Sequence, residues 1–444
     1  MDKKIFALAA AVLLLSAGAL SAGNLDYLGN QSAVYLQTLN RNAATDGADI
    51  INYNPAGTAF LPEGLHLDVS NQFLFKLYEH DMKGTGLSGA GALNETFKPE
   101  MFTPLLPNLY ASYNFGTVGI GRLAANLQAG VVAGGGELDY GDGTAGTTYA
   151  LHGIMASAGL GSIKSQSFTA SSIYYNIALG GAYSFLNDMM SVSAGARLVI
   201  PRRGFSLEAE FGNGAKGEAE VTYNALGVTP IIGFDIRPLE GLTIGLRYEM
   251  ETRLEFEYDV KTSAALGQAL QSTLTNAGVK DGGKFNQNLP HIIAAGVEYV
   301  VFPGLALDLS GTLYLLPFAD YDIGLDKGAD DYFDIGFDVG LGASWRILDP
   351  LKIGAGFSYT ESGTKQSYFD EQILNASANP PLDSLNFGLG ATYSLGFGLD
   401  INLGVLYVHY IPADYKAGIP SAVNIEGTNK KDVVNVGIGV SYRF

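Results

Sequence analysis

The stretch "YFDIGFDVGLGASWRIL", residues 332–348, constrains the fold more than any other part of the chain. Phe333, Ile335, Phe337, Val339, Leu341, Ala343, Trp345 and Ile347 fall on one face, and Asp334, Gly336, Asp338, Gly340, Gly342, Ser344 and Arg346 on the other. Strict alternation of this kind is the period of a two-faced strand. It runs far beyond the five or six residues usual in soluble sheets. The pattern returns in "LTIGLRYEM", "LKIGAGFSYT" and "LNFGLGATYSL". The apolar face often ends on an aromatic residue, as interfacial girdles do, while the opposite face is small or polar. A soluble sandwich would show a face rich in Lys, Glu and Thr. Here the second face is mostly Gly, Ser, Ala and Asn, which suits a barrel lumen.

Approximate strands fall at 65–78, 108–115, 118–128, 171–186, 189–210, 217–237, 242–260, 286–301, 305–323, 332–349, 351–368, 382–396, 399–417 and 431–444. The fold class expected is all-β, a transmembrane antiparallel β-barrel of about 14 strands, an even number as bacterial single-chain barrels have. Closure removes the exposed edges that an open sheet of this size would carry. Short connections such as "SFLNDMM", "IRPLEGL", "VFPGL" and "ILDPL" suit periplasmic turns. The long segments 81–107, 129–170, 261–285 and 369–381 suit the extracellular side. Paired glycines (Gly340/Gly342, Gly354/Gly356, Gly388/Gly390, Gly437/Gly439) read as inward strand positions, because no phosphate-loop pattern follows them.

Lys3 and Lys4, the apolar run Ile5 to Leu15 and the small residues of "SAGALSA" have the layout of a secretory signal peptide, residues 1–22. The chain holds no cysteine, so an exported protein of this kind needs a large core or a closed sheet in place of disulfides. Its net charge of −18 disfavours nucleic acid as a partner. No apolar run long enough for a spanning helix follows the leader. The last strand, "VVNVGIGVSYRF", ends with Phe444 on the apolar face. That terminal aromatic residue resembles the assembly signal read by the barrel-assembly machinery of bacterial outer membranes.

Residues 23–62 break the pattern. They carry Asn, Gly and Pro within helix-like stretches, yet hold too much Leu, Ile, Tyr and Phe for a disordered tail. We read them as a plug folded into the lumen, ahead of a barrel at 63–444. The segment "ADIINYNPAGTAFL", centred on Asn54, Pro55, Ala56 and Gly57, resembles the hatch signature of the FadL/TodX family of outer-membrane transporters for hydrophobic compounds. "GLTIGLRYEMETRLEFE" resembles that family's seventh strand, and "NLPHIIAAGVEY" its eighth.

The resemblance implies a monomer in the outer membrane of a diderm bacterium, among outer-membrane lipids and lipopolysaccharide. It further implies passive transport without a cofactor. The substrate would be a hydrophobic small molecule, a fatty acid or hydrocarbon, with long-chain fatty acids foremost. An extracellular groove captures it and a lumenal pocket holds it. A hatch rearrangement then releases it sideways, near an inward kink of the third strand.

In "VGIGRLAANL" the apolar phase slips by one residue at Gly121-Arg122, which suggests a bulge at that kink. Leu266, Leu270 and Leu274 recur at near-helical spacing in the long connection 261–285, as a capture-groove loop or a capping helix. Each methylene moved from water into an apolar pocket gains about 0.8 kcal/mol, so such surfaces suffice to capture an acyl chain. A carboxylate head group would need a basic partner. Alternation puts Arg197 and Arg247 in the lumen, with Arg202 and Arg203 higher. The resemblance makes Arg202 the nearest match to a basic residue that borders the family's pocket. Pairing with lumenal acids such as Glu249, Glu251 and Glu298 is the alternative use of these arginines. The five histidines lack metal-ligand spacing, and no Gly-x-Ser-x-Gly elbow occurs, so no enzyme is expected. The rival functions are a non-selective porin for small hydrophilic solutes and an adhesin-type barrel.

Overall fold

The computed structural model describes residues 30–85, 92–158, 162–263, 275, 279–322, 327–419 and 423–444. The proposed leader and the Leu266, Leu270 and Leu274 loop lie outside these residues. The described chain forms one closed antiparallel wall of fourteen strands, several of them interrupted. In chain order they are β1 (Gly64–Thr85), β2 (Ala92–Phe97 and Glu100–Val118), β3 (Gly121–Tyr140), β4 (Ile163–Phe185), β5 (Met190–Phe211), β6 (Lys216–Asn224 and Gly227–Leu239) and β7 (Leu242–Glu249 and Glu255–Ser263). Then follow β8 (Lys284–Asn286 and Ile292–Phe302), β9 (Leu305–Tyr314), β10 (Gly336–Leu348), β11 (Leu351–Glu361), β12 (Ser384–Gly396), β13 (Leu399–Tyr410 and Ala413–Ile419) and β14 (Val423–Arg443). β1 closes on β14 without a slip from His66–Arg443 to Thr85–Asn424.

Alternation sorts the side chains as expected. Leu179, Leu341 and Leu389 stand on the outer face at 64%, 59% and 64% exposure, far more than a water-facing surface tolerates in a contiguous band. Trp345 and Tyr393 stand toward the tight-turn end of the same face. Those turns are where the sequence placed them; Gly304, for instance, takes φ +98° between β8 and β9, a conformation side chains oppose.

The outer ends differ from expectation. Strand residues run on to 85 in β1, start again at 92 in β2, reach 140 in β3 and begin at 163 in β4, so much of 81–107 and 129–170 is wall rather than loop. Phe333 is a second departure. It is buried above the wall against Tyr368, 5.3 Å between ring centres, because Ala329–Tyr332 turns helical before β10 starts.

Residues 30–62 lie inside the barrel, and nearly all of them are buried. Short helical turns at Tyr35–Thr38, Ala48–Asn52 and Pro55–Phe60 shape them. An ion fork ties the segment to itself. Arg41 donates from Nε and Nη2 to the Asp49 carboxylate at 3.0 and 2.6 Å, and Nη1 lies 2.7 Å from Asp46. Burial works to lower the Arg41 pKa, but the two acids outweigh it and hold it above its ordinary value. The Tyr35 and Tyr53 rings stack at 5.0 Å.

The paired glycines explain how this segment fits. A Cβ built on Gly342 would stand 2.5 Å from the Thr38 carbonyl oxygen, one on Gly388 2.5 Å from that of Leu36, and one on Gly437 2.7 Å from Leu36 Cδ1. The small-residue stripe is thus the surface on which residues 33–42 rest. Gly342→Leu should displace Thr38 at a cost of about 1–3 kcal/mol. The check is added trypsin, which should cleave after Arg41 in the variant and spare the parent, with the barrel still heat-modifiable on a gel.

Candidate functional site

Among the described residues, the wall has a seam between β2 and β3. β2 and β3 pair from Val118–Gly121 up to Asn108–Gly130, with a slip between Asn114 and Thr117, and the ladder ends there. Beyond Gly130, β3 pairs with β4 alone, through two irregularities at Val131/Ala133 and Ala133/Gly136. The run "GVVAGGG" permits this. Gly134 and Gly136 take φ +89° and +77°, and the consecutive residues Val131 to Gly134 are all buried, so the strand bends inward.

Side chains bridge the seam where the ladder is missing. Thr103 Oγ1 of β2 donates to the Gly135 carbonyl at 2.7 Å. The Lys76 ammonium of β1 donates to the carbonyls of Gly135 and of Glu137, the latter at 3.0 Å. Asn30, from the lumenal segment, donates through Nδ2 to Val131 O at 2.6 Å and Leu106 O at 3.3 Å. Gln72 in turn donates to Asn30 Oδ1. Backbone carbonyls freed by the bulge are therefore satisfied by side chains that can let go, and one of these belongs to the segment in the lumen.

Inside the seam lies a cavity with ≈ 840 Å³ of space not filled by atoms, part of it open to solvent. Leu74, Leu138, Leu406, Val408 and Val433 make it apolar, with Gly134–Gly136 on the seam side and Gln31 from the lumenal segment. Lys76, Tyr78, Tyr410 and Asn379 are among the residues that supply its polar atoms. The helices Gln366–Glu371 and Ile373–Ala378 stand at its outer end. Asn379 accepts from Lys431 at 2.9 Å, and the Lys431 ammonium sits 4.2 Å over the Tyr410 ring.

The Asn-Pro-Ala-Gly turn anchors the lumenal segment at the opposite end. Asn54 caps the turn at Ala56 N and donates through Nδ2 to Asp235 at 2.7 Å; Pro55 occupies the first position, where no N–H is needed. Ser191 donates to Ala56 O at 2.9 Å. Ala56 is fully buried, and a Cβ on Gly57 would meet the Ala44 carbonyl oxygen at 2.6 Å.

Two sequence expectations need correction. Gly121 and Arg122 are not a mid-strand kink: Gly119 and Ile120 form a two-residue hairpin, so the phase slip there is the turn itself. Arg122 instead holds the end of the lumenal segment by donating to Leu61 O. Arg202 faces outward, exposed, and donates to Asn224 at 2.7 Å, because consecutive residues in a strand point to opposite faces.

The other three candidate arginines are lumenal. Arg203 lies 5.1 Å over the Tyr223 ring and 5.3 Å over Phe256 and donates to Gln287. Arg197 forks onto Glu249 at 2.7 and 3.2 Å, and Arg247 lies 3.3 Å from the same carboxylate and donates to Asn52 O. For these two, pairing with a lumenal acid describes the arrangement. Lys76, Thr103 and Asn30 went unread. Lys76 shares the inward parity of Gln72 and His80, but the glycine triplet that brings its partner within reach has the composition of a loop.

Sequence comparison matches no family model and no curated protein. Structural comparison does find relatives. A FadL homologue of Pseudomonas aeruginosa superposes with a TM-score of 0.65 at 14% identity, over 93% of this chain and 98% of that one. This is the fold of the FadL and TodX barrels. The toluene transporter TodX of Pseudomonas putida gives 0.63 at 13% identity over 94% and 99%, and the monoaromatic hydrocarbon channel CymD 0.56 at 13% over 95% and 99%. The shared architecture covers nearly the whole chain, although only 13–14% of the residues are identical.

Proposed function

We propose that the chain is a passive outer-membrane transporter of hydrophobic molecules, with long-chain fatty acids the foremost class. Residues 23–62 act in it as a hatch. Substrate reaches the apolar cavity from the outside, and a shift of the hatch withdraws Asn30 from Leu106 and Val131. The seam between β2 and β3 then lets the molecule pass sideways into the bilayer. The observation that carries this reading is the coincidence of an apolar cavity with an unladdered stretch of wall, pinned by the segment that fills the lumen. Support also comes from neighbours named as carriers of toluene and of monoaromatic hydrocarbons. Sideways exit suits an apolar molecule, because it never has to enter periplasmic water. Outward-facing Phe102 and Leu105 on β2 offer it an apolar flank at the seam.

A non-selective porin needs a continuous aqueous bore, and buried residues 30–62 oppose that. Deleting Asn54 to Gly57 tests the proposal. The variant should assemble as a heat-modifiable barrel and lose at least tenfold in uptake of labelled oleate. The parent in liposomes should not swell them in sugar solutions. Rapid swelling by the parent, or unchanged uptake by the deletion, would remove the hatch from the mechanism.

A further inference from the structure

The foot of the seam carries a polar feature that transport of a pure hydrocarbon does not require. Asn108 of β2, Gly130 of β3 and Asn176 of β4 form one row across three strands. Both asparagines point inward and are only 2% exposed. Gly130 has no side chain, and the Asn108 carboxamide oxygen lies over it, where a Cβ would otherwise stand. Oδ1 and Nδ2 of Asn108 and Oδ1 and Nδ2 of Asn176 all lack a hydrogen-bond partner among the described residues, as do the hydroxyls of the neighbouring Tyr110 and Tyr174. Buried polar groups are nearly always paired, because an unpaired one loses its hydration for nothing. Four bare amide atoms in one row therefore call for a partner that the described residues do not supply.

We propose that Asn108 and Asn176 form a neutral hydrogen-bonding subsite for a hydroxyl or an undissociated carboxyl group on an otherwise apolar substrate. The proposal rests on the transport reading above and narrows its substrate class. Each carboxamide offers two N–H donors and one carbonyl acceptor and carries no charge. A group that both donates and accepts can give its one proton to a carbonyl oxygen and take a hydrogen bond from an N–H in return. An ionised carboxylate can accept from the N–H groups but offers no donor to either carbonyl oxygen, and a hydrocarbon would leave every amide atom bare. Position agrees with chemistry. Gly130 is the last rung of the β2–β3 ladder, Val131 O is the carbonyl that Asn30 holds, and Gly134–Gly136 of the same strand wall the cavity. The row does not line the cavity itself, and Asn30 lies on Val131 O between them, so a molecule along β3 reaches Gly130 with its polar end only once the lumenal segment releases that carbonyl. Transfer through the seam then breaks that contact last.

The test uses the full-length protein in detergent and measures binding of 1-octanol, n-octane and octanoate at pH 8. The parent should bind 1-octanol more tightly than octanoate. In an Asn108→Leu/Asn176→Leu variant, with the same branching at Cγ, the octanol-to-octane affinity ratio should fall about tenfold or more while octane binding holds. Octane binding in the variant reports that its cavity is intact, and the parent's octanol and octanoate affinities test the idea even if the variant does not fold. A ratio unchanged within twofold, or octanoate bound as tightly as octanol, would overturn the subsite and assign the two amides to ordered water alone. Binding of neither octane nor octanol by the parent would overturn the transport reading with it.

Discussion

A disulfide between Thr103→Cys and Gly136→Cys should stop uptake under oxidising conditions and return it when reductant is added. A Cβ built on Gly136 stands 3.5 Å from Thr103 Cβ, within the separation that disulfides span. The chain has no cysteine of its own, so no other thiol competes for the pairing. The engineered residue at 136 sits at φ +77°, which costs about 1–2 kcal/mol for an L side chain, so the singly substituted Gly136→Cys is a necessary control. The seam is now spanned by side-chain hydrogen bonds, each worth roughly 1 kcal/mol net. Thermal motion can break bonds of that strength on the timescale of transport, whereas a covalent bond cannot yield. Uptake of labelled oleate by oxidised cells should fall at least tenfold below that of either single variant and recover with dithiothreitol. Full uptake by a protein shown by mass spectrometry to be completely crosslinked would place the exit elsewhere.

The wall was legible in the sequence because alternation depends on one geometric fact, the two-residue repeat of a strand. It held wherever both faces had distinct environments, lipid outside and the lumenal segment inside. It failed where the environment changes above the wall. Phe333 is apolar and in phase, but it is buried against Tyr368 instead of facing lipid. The seam was illegible for a related reason. "GVVAGGG" has neither alternation nor side-chain bulk, so nothing in its composition separates a bent strand from a loop. What marks it is pairing, a property of β2 and β4 as much as of β3. The arginines show the limit for the site. Parity placed Arg197 and Arg247 inside, but which anion each meets depends on strands far away in sequence. The two consecutive arginines, at 202 and 203, could not both face the lumen, and parity alone was enough to say so.

Glu249 is the residue whose loss should weaken the lumenal architecture most. Its carboxylate, 3% exposed, is shared by Arg197 at 2.7 Å and Arg247 at 3.3 Å, themselves 3% exposed. Through them it reaches the lumenal segment. Arg247 donates to Asn52 O, Arg197 approaches Asn52 Oδ1 at 3.5 Å, and Gln128 donates to the same oxygen at 2.9 Å. Glu249→Leu would leave two buried guanidinium groups without the anion they share. Breaking a buried pair from one side costs about 3–5 kcal/mol, chiefly because the remaining charge cannot be rehydrated. The variant should therefore lower the urea midpoint of the folded barrel and open residues 41–54 to trypsin before the wall unfolds. The triple variant Arg197→Met/Arg247→Met/Glu249→Leu removes the charges together and should regain most of that midpoint, since a well-packed apolar replacement is often neutral. The comparison separates two uses of these arginines. If they serve to fix the segment, the triple variant keeps both stability and oleate affinity. A triple variant that folds normally yet binds oleate at least tenfold more weakly would return them to the role of head-group partners.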